Sequence, residues 1–156
     1  MDRALVVHDD SEAGLDLLEE AIELAAGVDA ELRVLALMTQ DEYAEREEAV
    51  NAMAREENTS YDDSVVLDYA RKEARDDVNA TLDAMDVDVE WNVIAGRIGS
   101  NENAGDRILT AAEDNDVDHV FMTGRRRSPT GKVVFGDRAQ TVILNFPGPV
   151  TTLLGR

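Results

Sequence analysis

Thr123-Gly124-Arg125-Arg126-Arg127-Ser128-Pro129-Thr130-Gly131-Lys132-Val133-Val134-Phe135-Gly136-Asp137 is the stretch on which the reading of this chain turns. It follows the apolar run Val120-Phe121-Met122, which reads as a buried strand, and precedes Arg138-Ala139-Gln140-Thr141-Val142-Ile143-Leu144, which reads as a short helix. A strand, a loop of small and cationic residues, then a helix N-terminus is how a parallel sheet makes an anion site. Backbone N–H groups and the positive end of the helix dipole converge on the ligand. This is also where an acidic chain gathers its positive charge.

Working outward, Ala4 to His8 is a short apolar run of the kind buried on both faces of a sheet. Asp10 or Ser11 can cap the helix that follows, whose stripe is Leu15, Leu18, Ile22 and Ala25, with Gly27 as its stop. Glu31 to Met38 is a second strand. Thr39 to Asn58 is acidic and weakly patterned, a loop plus an exposed helix with a thin face of Ala44, Ala49, Val50 and Met53. Tyr61 to Ser64 can start a helix carrying Leu67, Ala70, Ala74, Val78 and Leu82. Asp86 to Ala95 alternates as a half-buried edge strand should. A helix over Ala104 to Asn115, a strand over Asp118 to Met122, and a last strand over Val150 to Leu154 complete the pattern.

Strands joined by helices of this length pair in parallel through right-handed crossovers. The expectation is an α/β domain over residues 1–156. It is a three-layer, doubly wound, open parallel five-stranded sheet of order 3-2-1-4-5. Ligands bind such sheets where the winding reverses, beyond the carboxyl ends of the strands. Here that places Asp9, Asp10, the end of the second strand and the loop after the fourth at the site.

Composition narrows the function. Thirty-four acids against fifteen basic residues give a formal net charge of −19, with lysine only at positions 72 and 132. Such a surface repels nucleic acid, and the run Arg125–Arg127 is too short to reverse that. Acid excess with so little lysine suits a halophilic protein, whose self-repulsion is screened at molar salt, where the Debye length is about 3 Å. No apolar run reaches the roughly 18 residues of a membrane span, and the first residues read as a strand rather than a leader. With no cysteine there is neither disulfide nor thiol chemistry, in keeping with the cytoplasm.

Nucleophile and metal signatures are missing. There is no Gly-x-Ser-x-Gly turn and no HExxH; Gly131-Lys132 is followed by Val133, so the loop is not a P-loop. His8 reads as a core or switch-point residue, and His119 lies at the far end of the sheet. The arginine triplet is either a phosphate clamp or a solvated loop paired with nearby acids. Asp9 is either a ligand residue or a helix cap, and Asp137 reads as a cap.

Val7-His8-Asp9-Asp10-Ser11-Glu12, Pro149 to Leu153 and the central stretch together resemble the universal stress protein family over essentially the whole chain. The resemblance implies an adenine-nucleotide alpha-hydrolase-like fold. It also implies Asp9 beside the nucleoside and the Leu37 backbone beside the adenine. ATP-binding members carry Gly-x2-Gly-x9-Gly-(Ser/Thr). Placed without gaps, that motif falls on Thr123, Arg126, Gly136 and Asp137, and only Gly136 matches. Starting instead from Gly124, the second position is Arg127 and the spacing to Gly136 is one short. Arginine at the second position can bind phosphate by its own hydrogen bonds. A carboxylate at Asp137 repels one.

The expectation is therefore a cytoplasmic stress-response binding module rather than an enzyme. Its degenerate site takes ATP, AMP or a smaller phosphate, with no resident metal. The alternative is a protein that binds no nucleotide and acts only through protein contacts. The resemblance further implies a homodimer through the last strand, with Phe146, Val150, Leu153 and Leu154 as its apolar contribution.

Overall fold

The computed structural model describes residues 1–59, 63–125 and 136–155. In chain order the elements are β1 (Arg3–Val7), α1 (Glu12–Val28), β2 (Glu31–Met38), α2 (Gln40–Glu56), α3 (Asp63–Ala84), β3 (Trp91–Arg97), α4 (Ala104–Asp114), β4 (His119–Arg125), α5 (Asp137–Asn145) and β5 (Val150–Gly155). The five strands pair in parallel in the order β3-β2-β1-β4-β5, as the alternation of strands and helices predicts.

The alternation of side chains along the strands feeds two cores. Ala4 and Val6 of β1 point to one face and join Leu17, Leu18, Ile22, Ala74 and Val78 of α1 and α3. Leu5 and Val7 point to the other and join Ile108, Ala112, Ala139 and Val142 of α4 and α5. Both faces of the central strands are thus covered, which is why they read as continuous apolar runs. A third, small cluster of Met38, Tyr43, Val50 and Val66 lies under α2, apart from the main layers. Among the described residues no helix is long and apolar enough to cross a membrane.

Several boundaries differ from the sequence reading. Residues 86–90 precede β3, because its neighbour β2 starts at Glu31, too late to form a ladder with them: the first registered pair is Leu32 with Trp91. α1 runs through Gly27 and ends at Asp29, which takes the left-handed conformation (φ 58°) that aspartate tolerates. The buried stripe of α1 is Gly14, Leu17, Leu18, Ala21, Ile22 and Ala25, and Leu15 is exposed. The acidic segment is a helix from Gln40, capped by the Thr39 hydroxyl, and it buries Tyr43, Val50 and Ala54 while Met53 faces solvent. Of the segment expected to start α3, Tyr61 and Asp62 lie outside the described residues. Thr123, Gly124 and Arg125 belong to β4 rather than to the loop, since β5 extends far enough to pair them with Leu153, Leu154 and Gly155.

Candidate functional site at the switch point

β1 and β4 are adjacent, and the helices after them leave on opposite faces of the sheet. The carboxyl ends of β1, β2 and β4 therefore open into a cleft of about 730 Å³, a volume within the usual range for small-molecule sites. Its floor includes His8, Asp9, Ala36, Leu37, Met38, Thr123 and Gly124. Gly136, Asp137 and Arg138 at the start of α5 form one wall; Glu42, Glu45 and Arg46 of α2 with Ala70 and Glu73 of α3 form the other.

The first wall is organised around Asp9. One carboxylate oxygen accepts from the Ser11 backbone N–H at 3.0 Å, and the other accepts from the Thr123 hydroxyl at 2.9 Å. The Arg138 guanidinium donates to the same Thr123 oxygen at 3.0 Å and lies 3.8 Å from Asp9. Burial pushes the Asp9 carboxyl up, but the Ser11 amide, the Thr123 and Ser11 hydroxyls and Arg138 outweigh it and hold the group below its ordinary value. Asp9 is an ionised acceptor at neutral pH. Ser11, not Asp10, caps α1, accepting from the Gly14 amide at 3.1 Å. Gly14 is required here: a Cβ at this position would lie 2.1 Å from the Asp9 carbonyl oxygen.

At α5 the cap is Gly136, and Asp137 is the first helical residue, with no capping side-chain bond. A carboxylate there interacts with the helix dipole rather than with the free amides. A Cβ built on Gly136, which lines the cleft, meets nothing within 4 Å among the described residues, and those residues leave the helix start open. That openness, the free amides of the first turn and Arg138 fit the phosphate of a nucleotide. Ala36, Leu37 and Met38 of the floor offer apolar contact to its base.

The structure thus brings together Asp9, Leu37, Thr123, Gly124, Gly136 and Asp137. Arg125 ends β4, while Arg126 and Arg127 lie outside the described residues. Arg138 escapes sequence reasoning because it stands one residue beyond the motif, inside what reads as a helix. His8 also belongs to the site, its Nε2 2.6 Å from an Asp77 oxygen on α3. His119 does not: it stacks on Phe121 at the amino end of β4, and burial holds its ring below the ordinary histidine value. Of the residues expected at a dimer contact, Phe146 and Val150 pack against the core, whereas Leu153 is exposed on the edge strand β5.

No curated protein matches the chain. Among solved structures, a universal stress protein from Archaeoglobus fulgidus is similar at 20% identity and TM-score 0.61, covering 97% of each chain. A universal stress protein in complex with cAMP is similar at 16% identity and TM-score 0.59, over 99% of this chain and 98% of that one. Another from Archaeoglobus fulgidus, in complex with dAMP, is similar at 16% identity and TM-score 0.57, over 97% of this chain and 96% of that one. At these identities the likeness establishes the fold. The universal stress protein family model matches residues 1–153, and the chain belongs to that family.

Proposed function

We propose that this chain is a cytoplasmic stress-response protein that works as a dimeric binding module and takes an adenine nucleotide, ATP or AMP, in the cleft at the switch point. The observation that carries the reading is the Asp9–Thr123–Arg138 network beside the open start of α5. It puts a cation and helix amides on one side of a cleft whose floor adds Ala36, Leu37 and Met38 and whose other wall is the charged side chains of α2 and α3. The relatives solved with cAMP and dAMP support an adenine nucleotide as the occupant. Exposed Leu153 on the β5 edge, with exposed Ile143 and Leu144 on α5, supports the dimer. The net charge of −19 supports function in high salt.

A second reading, in which the protein binds no nucleotide and acts through protein contacts, is favoured by the carboxylates of Asp10, Glu42, Glu45, Glu73 and Asp137 around the same cleft. Calorimetric titration with Mg-ATP, AMP and inorganic phosphate in molar KCl separates the two. The nucleotide reading expects AMP to bind and Arg138→Ala to weaken it about tenfold, the loss of one charge-assisted hydrogen bond. Absence of binding in wild type together with binding in Asp137→Ser would establish the second reading.

A further inference from the structure

We infer that His8, held by Asp77, selects the base of the bound nucleotide, its Nδ1 accepting a hydrogen bond from an exocyclic amine. The inference rests on the nucleotide reading above and adds to it the residue that sets specificity. His8 follows β1 directly and shares a face with Ala4 and Val6, so it lies on the α1–α3 side of the sheet. It lines the cleft with Ala36, Met38 and Ala70, on the sheet face opposite α5, where Glu42, Glu45, Arg46 and Glu73 also reach the opening. A nucleotide placing its phosphate on α5 would set its base toward this side, against Ala36, Met38 and His8.

The ring is held at two points. Its backbone amide donates to the Leu35 carbonyl at 2.8 Å, which fixes the main chain against β2. Its Nε2 lies 2.6 Å from Asp77 Oδ2, with the His8 side chain only 11% exposed. An ionised carboxylate can only accept, so the shared proton is assigned to Nε2. In a neutral ring Nδ1 is then an acceptor. No hydrogen bond to Nδ1 is found among the described residues, and it is the ring nitrogen left for a ligand. An orienting carboxylate behind an imidazole fixes tautomer and ring plane together, as it does for histidines that ligate metals. A base bearing an amine satisfies this acceptor. A base bearing a carbonyl at the same place sets two acceptors against each other, and leaving such groups unpaired is what makes hydrogen-bonding sites discriminate.

AMP and IMP differ at this position, the first carrying an amine and the second a carbonyl. Titrating both at about pH 8.5, wild type is expected to prefer AMP by about tenfold. His8→Phe keeps a ring and removes the acceptor; Asp77→Leu keeps the helix and frees the tautomer. Both are expected to bring the AMP to IMP ratio close to one, a loss of selectivity that a merely structural role would not produce. Nitrogen-15 NMR of the free protein is expected to show the His8 proton on Nε2. A proton on Nδ1, a wild-type ratio near one, or a ratio unchanged in His8→Phe overturns the inference while leaving the nucleotide reading intact. Wild type binding neither nucleotide overturns both.

Discussion

On one wall of the cleft, Asp9, Ser11, Gly14, Thr123 and Arg138 interlock across β1, α1, β4 and α5 through hydrogen bonds anchored at strand ends and helix starts. On the other, α2 rests on a four-residue satellite cluster and reaches its neighbours through long side chains: Arg46 to Glu73 and to the face of Tyr69, and Arg97 over Tyr43. The first wall is an extension of the sheet. The second is a charged helix laid against it. Chemistry that needs fixed geometry belongs on the first wall, whereas the second can adjust to what enters.

The largest effect expected from this contrast comes from Gly14. A methyl group there meets backbone at 2.1 Å, not the end of a flexible side chain, so the corner between β1 and α1 must open. Gly14→Ala is expected to cost about 3 kcal/mol in guanidinium unfolding in molar KCl, the upper range for overpacking. It should also abolish nucleotide binding through displacement of Asp9. Stability within about 0.5 kcal/mol of wild type, the level of ordinary surface substitutions, would show the first wall to be as yielding as the second.

The same contrast explains what could be read in advance. Strand order followed from periodicity because β1, β2 and β4 are covered on both faces and their residues have no choice of environment. Asp9 was legible because it stands just past β1, and Thr123 because it opens the polar stretch that follows the apolar run of β4. Arg138 was not: a helix start accepts almost any residue, and only the folded distance to Thr123 shows its role. His8 and Asp77 are 69 residues apart, and nothing local in either marks the pairing. α2 was obscured by its composition, since Tyr43, Val50 and Ala54 are all it buries, too few to make a periodic stripe against so many acids. The start of β3 was misplaced because alternation reports a half-buried surface whether or not a strand pairs with it. Val89 packs against the core from outside the ladder.

A smaller effect sharpens the electrostatic side of the first wall. The folded-state pKa of Asp9 lies below its ordinary value. Its ionised form therefore contributes stability that is present above the unfolded-state pKa and is lost as pH falls through the folded one. Asp9→Asn keeps an acceptor and removes the charge, so it should cost about 1 kcal/mol near neutrality. That difference should begin to shrink as pH falls below about 4, the ordinary carboxyl value at which the unfolded chain takes up its proton, and be lost only below the lower folded-state pKa. A difference independent of pH would mean that shape, not charge, holds Thr123 and Arg138 in place.

The smallest expected effect lies on the second wall. Arg46 and Glu73 are 2.9 Å apart, but their side chains are 47% and 58% exposed, so water competes for both. A double-mutant cycle with Arg46→Ala and Glu73→Ala removes the separate contact of Arg46 with Tyr69 from the coupling, because that contact is lost in both arms carrying the arginine change. The expected coupling is below about 0.5 kcal/mol at low salt, vanishing in molar KCl. Because such a pair costs little to open, a ligand anion can take Arg46 from Glu73 without destabilising the fold. A coupling above about 1 kcal/mol, larger than exposed pairs generally reach, would make α2 a fixed wall. The cleft would then have one shape set from both sides rather than one rigid face and one that follows the ligand.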